Sequence, residues 1–342
     1  MHETGRPEEF MSKKLISFCL LSIVFTIVLL FGTPIPPPAG VDGPASPAPP
    51  STNQLQGRYA ITTFLGLRGD GKDQGDDSDT EYVNTRTLVY QLLHAPSTKL
   101  HKEVPIIVLV NENVRESKRQ RLRDDGVIIV EVETISNDRW GDMATRLRIF
   151  DPTVVSYEKI LFIDADTVLT RPIDKIFNDP STKLSPVKHH SRNTPDKVDG
   201  LPEKFIMAAS PVMARDVGSD SARADVPFCN GLFLYSPSRE LFSYYQGLLD
   251  ESELYYTGDK GHDLLNYAHR RGGPMPWQSL HGSWYLDWPG DNDLDGKTPL
   301  LHTKWQARDG EVSYSNSAVG KYAQARRWEM EGYWIGKDEA FM

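Results

Sequence analysis

The chain has 342 residues, 25% of them charged and 39% hydrophobic, a balance that excludes a wholly disordered or collagen-like protein. Its 38 Lys and Arg against 47 Asp and Glu give a net charge of −9. That balance leaves no footprint for gripping nucleic acid, so any phosphate it handles is small and held locally. Two cysteines, Cys19 and Cys229, exclude a disulfide-stapled scaffold.

From Leu15 to Phe31 the chain is almost wholly apolar (LISFCLLSIVFTIVLLF), a helix of roughly 25 Å if it spans a thin bilayer. Arg6, Lys13 and Lys14 precede it, and no Lys or Arg follows before Arg58. The positive-inside rule then predicts a cytosolic tail at 1–14, a type II signal-anchor at 15–31 and a lumenal remainder. A cleaved signal peptide is the alternative, disfavoured by the long apolar core and the lack of an A-x-A site. Eight of the 24 prolines follow in residues 32–50, which predicts a Pro-rich stem over 32–57 and a folded domain over 58–342. The short anchor and stem fit a Golgi-type membrane.

Beyond the stem, Tyr59–Leu65 predicts a strand and Tyr82–His94 a helix. Pro105–Val110 predicts a strand, Glu116–Arg123 a charged helix and Val127–Val132 another strand. Met143–Tyr157 contains helix that Pro152 must interrupt, and Lys159–Ile163 is the clearest strand. This alternation argues a parallel α/β sheet, doubly wound in its front half. Further on, Gly231–Tyr235 predicts a strand, and Ser238–Leu249 and Asp263–His269 predict helices.

The string KILFIDADTVLT carries the chemistry. Asp164 and Asp166 follow a buried strand, where open α/β sheets place ligands. Two apart in extended chain they point the same way, and paired carboxylates invite a divalent, oxygen-loving cation. The string also fits a haloacid-dehalogenase-like phosphotransferase, with Gly290-Asp291-Asn292-Asp293-Leu294-Asp295 mimicking a downstream G-D-x-x-x-D. Placement opposes that: three strand–helix units precede Asp164, and His281–Pro289 is aromatic and polar rather than an apolar strand.

Five segments, in order, carry a more specific likeness: ATRLRIF (Ala144–Phe150), DADTVLTRPID, FCNGLFLYSPS (Phe228–Ser238), DLLNYAHRRGGPMPW (Asp263–Trp277) and LLHTKW (Leu300–Trp305). In these the chain resembles the family 8 glycosyltransferases, the glycogenin-like group, and especially their membrane-anchored fungal members. The resemblance implies a GT-A fold, meaning a Rossmann-like mixed sheet with helices on both faces. It also implies a UDP-sugar donor, a glycan or glycoconjugate acceptor, a Mn2+-type cation and net retention of anomeric configuration. By position it makes Asp164, Asp166 and His302 metal ligands and Lys304 the cation that meets the leaving diphosphate. Arg146 stands for a donor-contacting lysine, and Thr62, Thr63 and Tyr82 enclose the uracil.

Two departures stand out. The family's F-N-S/A-G is here Phe228-Cys229-Asn230-Gly231, so a thiol takes the place of the Asn that touches the donor sugar, with Asn230 and Gly231 next to it. The acid–Gln pair before the L-L-N helix is here Gly261-His262, leaving Asp259 and Asp263 as nearby carboxylates; Asp263 is the candidate catalytic group, though it equally suits a helix cap. These departures keep open a family member that binds UDP-sugar or glycan without turnover. Six of seven tryptophans (Trp277, Trp284, Trp288, Trp305, Trp328, Trp334) lie after Pro276, as core residues or as sugar-stacking faces. His189-His190 fits a polar loop better than a second metal site.

Overall fold

Parallel strand–helix units build the first half of the molecule, as the alternating pattern predicts. The computed structural model describes residues 56–66, 79–137, 139–188, 200–212, 226–251, 255, 263–304, 307–308, 311–312 and 317–340. The expected anchor, nearly all of the expected stem, the acidic segment 67–78, His189-His190, Asp259, Gly261-His262 and Trp305 lie outside them. Among the described residues no helix is long and apolar enough to cross a membrane.

Chain order runs β1 (Gln56–Leu65), α1 (Thr80–Leu93), β2 (Ile106–Asn111), α2 (Glu116–Asp124), β3 (Ile128–Val132), α3 (Asp142–Arg146), β4 (Ser156–Ile163) and β5 (Thr167–Leu169). It continues with β6 (Ser185–Pro186), β7 (Lys204–Phe205), β8 (Met207–Pro211), β9 (Phe228–Tyr235), α4 (Arg239–Asp250) and α5 (Asp263–Ala268). The last elements are β10 (Gln278–Ser279), β11 (Tyr285–Asp287), β12 (Leu300–His302) and the C-terminal helix α6 (Ala318–Ala340).

The main sheet has seven strands in the order β10-β8-β9-β4-β1-β2-β3. β4, β1, β2 and β3 are mutually parallel, whereas β9 runs antiparallel to both β4 and β8. The sheet is therefore mixed, with a parallel half. β2 is buried along its whole length, which is why IIVLV reads as a continuous apolar run rather than an alternating one. Successive residues of β1 and β2 feed two cores. Ala60, Ile107 and Leu109 pack with Leu147, Phe150, Leu241, Tyr245 and Leu264 on one face. Ile61, Val108 and Val110 pack with Leu88, Leu92 and Leu122 of α1 and α2 on the other.

Two stretches depart from the sequence expectation. The helix sought in Met143–Tyr157 is only α3 followed by a 3-10 turn to Phe150, and Tyr157 already belongs to β4. Pro152 forces the residue before it out of helical geometry, and Asp151 is extended (φ −75°, ψ 113°). The second departure is a three-stranded sheet, β11-β12-β5, with β11 parallel and β5 antiparallel to β12. Its strands are three residues each, too short to show periodicity. Buried Gln91 of α1 clamps β5 by accepting a hydrogen bond from Leu169 N–H (2.7 Å) and donating to Thr167 C=O (3.5 Å). Val168, Leu301, Val83 of α1 and Ala323 of α6 close the small core behind it.

At the end of α5, His269 is wholly buried. Its Nδ1–H donates to Met275 C=O (2.7 Å), so Nε2 accepts from the Tyr245 hydroxyl (2.5 Å). Burial drives its pKa from 6.5 down to about 4, against a small opposing effect of the Met275 carbonyl. The unfolded chain thus takes up the proton first. Stability from this residue is full above about pH 6.5 and drains as pH falls toward 4. Denaturant titrations at pH 7.5 and 4.5 are expected to show a loss of roughly 2–3 kcal/mol that His269→Gln lacks.

Candidate active site

Asp164 and Asp166 leave the C-terminal end of β4 in a tight turn, closed by Thr167 N–H donating to Asp164 C=O (3.2 Å). They are not in extended chain, as their spacing predicts, because this turn must reverse the backbone into β5. The carboxylates converge nonetheless. Asp164 N–H donates to Gly231 C=O (2.9 Å), and the Asp166 carbonyl accepts from both Thr303 N–H (3.2 Å) and Thr303 Oγ1 (2.9 Å). Neighbours distant in sequence therefore fix both aspartates at the backbone.

His302, the last residue of β12, lies across from them. Its Nε2 is 2.9 Å from Asp166 Oδ1 and 4.0 Å from Asp164 Oδ2. The three ligand atoms lie within 4.8 Å of one another. On the other side of the ring, Nδ1 is 3.0 Å from Asp287 Oδ1 and 2.6 Å from the Tyr285 hydroxyl. Burial works against charge on this imidazole, but hydrogen bonds to Asp166 and Asp287 outweigh it and raise its pKa well above the usual value. Burial likewise opposes the Asp287 charge, and His302 together with Lys304 more than offsets it, holding that carboxyl below its ordinary range. Two carboxylates and an imidazole backed by a third carboxylate form a donor set that fits a divalent cation. Coordination at Nε2 would displace a proton, so cation binding competes with protonation there.

Positive charge borders this cluster. Arg146, in the last turn of α3, places Nη1 3.2 Å from Asp164 Oδ1 and lies over the Phe162 ring at 5.1 Å. Lys304 Nζ is 3.4 Å from Asp287 Oδ1. One buried carboxylate thus holds both the histidine and the lysine. A cavity beside the cluster is lined by Phe64, Gly66, Glu81, Met143, Arg146, Asp164, Ala165 and Asp166.

The remaining site expectations fall differently. Thr62 and Thr63 are buried within β1, and Tyr82 is buried with its ring under Lys118 and Arg86. None of the three lines the cavity; Phe64, Gly66 and Glu81 do instead. Asp263 opens α5 and is not in the cavity wall either. Asn230 is buried where β9 bulges against β8. Cys229, expected at a donor pocket, is fully buried behind His302, with Sγ 3.2 Å from the Tyr285 hydroxyl and 3.8 Å from His302 Nδ1. Gly231 is required for space: a Cβ there would meet His302 Cε1 at 2.6 Å and the Tyr285 hydroxyl at 2.7 Å. In the G-D-x-x-x-D-like string, Asp291 accepts from Ala318 N–H at the start of α6 (2.8 Å), and Asp295 accepts from Lys297 N–H (3.0 Å) and pairs with its ammonium (2.6 Å).

Tyr285 and Asp287 are the functional candidates that the motifs did not single out. Their signal was their spacing of two, which puts both side chains on one face of a short strand.

No family model matches the chain. It is 27% identical over 271 residues to the Schizosaccharomyces pombe protein C4C3.09, covering 68% of this chain and 69% of that one. Over 99 residues it is 32% identical to galactinol synthase 5 of Arabidopsis thaliana, or 26% of this chain and 29% of the relative. Its fold is similar to that of the apo-form glycosyltransferase GlyE of Streptococcus pneumoniae (TM-score 0.50, 13% identity), covering 82% of this chain and 64% of the neighbour. The chain thus spans just under two thirds of that neighbour's length. The mixed, parallel-rich sheet matches the GT-A type of fold.

Gly231→Ala is expected to push His302 off its two carboxylates, costing about 1–3 kcal/mol in a denaturant titration and removing any rise in melting temperature that a divalent cation gives the wild type. Asp287→Asn, which keeps the shape of the side chain, should weaken by about 10- to 100-fold any divalent-cation binding that a calorimetric titration of the wild type detects.

Proposed function

We propose that the protein is a metal-dependent glycosyltransferase that moves a hexose-type sugar from a UDP-sugar to a glycan or glycoconjugate with retention of configuration. The observation that carries this is the convergence of Asp164, Asp166 and His302 at the end of β4, flanked by Arg146 and Lys304. The GT-A type of fold and the local match to a galactinol synthase support it.

In this reading Asp164, Asp166 and His302 hold a Mn2+-type cation, which would supply Lewis-acid neutralisation of the donor diphosphate. Asp287 and the Tyr285 hydroxyl orient the imidazole so that Nε2 faces the carboxylates. Lys304 brings an ammonium to the charge that develops on departing UDP, where one fixed cation is worth most. The bond between the anomeric carbon and the UDP oxygen breaks with its electron pair going to UDP. The acceptor oxygen bonds that carbon on the same face, and its proton passes to the departing phosphate. That route needs no protein nucleophile, in keeping with Asp263 lying off the cavity wall. The apolar run at 15–31 and the Pro-rich stem tether this domain on the lumenal side of a Golgi membrane.

Purified chain incubated with a panel of UDP-sugars is expected to release UDP only when Mn2+ is present, and Asp166→Asn should lose metal-dependent UDP binding. Equal release with and without the metal, or unchanged binding by the variant, would sink the assignment.

A further inference from the structure

Two non-glycine residues among those described have left-handed backbone, Trp288 (φ 54°) and Lys304 (φ 51°). For bulky side chains this conformation costs on the order of 1–2 kcal/mol and persists only where the surroundings impose it. The two residues are partners. β11 and β12 pair in parallel with Asp287 opposite His302, and Trp288 and Lys304 lie one and two residues beyond that pair. Trp288 N–H donates to His302 C=O (3.3 Å), and Lys304 Nζ lies 4.4 Å from the centre of the indole. The ring is thereby pinned to the segment that carries a candidate ligand and the candidate diphosphate cation.

The ring is also half exposed. Trp288 is 48% exposed, although burying an indole is among the larger apolar gains open to a side chain. The other late tryptophans sort away from it. Trp277 and Trp334 are buried, Trp284 donates its indole N–H to Asp179, and exposed Trp328 lies on α6 beside Arg327. Of the described tryptophans, Trp288 is the one that combines exposure, imposed backbone geometry and contact with a site cation. It contacts Lys304, which pairs with Asp287 behind His302, whereas the cavity bounded by Phe64, Gly66 and Glu81 is lined by Arg146, Asp164 and Asp166.

We infer that Trp288 is the stacking platform of the acceptor subsite, taking the apolar C–H face of a pyranose ring held next to the departing diphosphate. This rests on the transferase reading, in which the donor fills the cavity and the acceptor approaches past Lys304. A flat, rigid indole binds a sugar face at small entropic cost, while the neighbouring ammonium offers a donor to ring hydroxyls. The ligand class is therefore a hexose at the end of a glycan, rather than the nucleotide base.

The test compares the wild-type chain with Trp288→Phe and Trp288→Gly. Glycine adopts positive φ freely, so Trp288→Gly removes the ring without disturbing the turn. With UDP and Mn2+ present, saturation-transfer NMR titrations use maltose and cellobiose, hexose disaccharides of opposite linkage. The expected result is wild-type binding of at least one disaccharide, a loss of about tenfold or more in Trp288→Gly, and partial recovery in Trp288→Phe. Metal-dependent UDP affinity should stay within about twofold throughout. Equal saccharide binding in wild type and Trp288→Gly, or none of either sugar by the wild type, overturns the inference. A parallel loss of UDP affinity would make the ring a support for Lys304 or a base platform, which also overturns it. Wild-type protein that fails to bind UDP with Mn2+ sinks the donor reading itself, a separate and distinguishable failure.

Discussion

The imidazole of His302 bridges Asp166 and Asp287, with its two nitrogens 2.9 and 3.0 Å from carboxylate oxygens, and the geometry of the site follows from that bridge. A buried histidine flanked by one carboxylate would still rotate; flanked by two on opposite nitrogens it has one orientation. Asp287 further engages Lys304, so the position of the ammonium is tied to that of the ring. The cost of burying these charges is met by their mutual pairing, and removing one member strands the others.

Elements far from the cluster keep the bridge in place. β12 presents His302 only because β5 pairs with it antiparallel, and β5 is held by Gln91 from α1. α6 closes the back of this small sheet, through Ala323 in the shared core and the Tyr322 hydroxyl donating to Leu169 C=O (2.7 Å). Gly231 leaves the volume that the histidine ring occupies. The large sheet thus supplies the aspartates and the small sheet supplies their partner.

The parallel half of the fold was legible because its strands are covered on both faces and read as apolar runs, from the IIVLV of β2 to the KILFI of β4. The D-x-D pair, His302, Lys304 and Arg146 were legible from motif order, and they meet in space. The small sheet and α6 were not. Three-residue strands carry no period, and the long helix takes its stability from aromatic packing on α1, with Trp334 against His94 and Tyr333 against Tyr90, rather than from a clean apolar stripe. Asp287 was hidden for a related reason. A buried carboxylate looks in sequence like any surface aspartate until its two cations are seen. Thr62, Thr63 and Tyr82 are buried in β1 and α1, and the residues that line the cavity beside the cluster are their neighbours Phe64, Gly66 and Glu81.

The span of chain between partners has a consequence for how the molecule is made. Asp166 and His302 are 136 residues apart, and Leu169 and Tyr322 are 153 apart. The strand–helix units through β4 form from neighbouring chain, whereas the small sheet requires long loop closure before its contacts are gained. During synthesis the two aspartates emerge, and their strand docks, well before the histidine and the final helix exist. The last twenty or so residues therefore act as a completion step. A chain that has not yet added α6 holds the acidic pair but not the surface that backs the small sheet, so Asp164, Asp166 and His302 come together only late in folding.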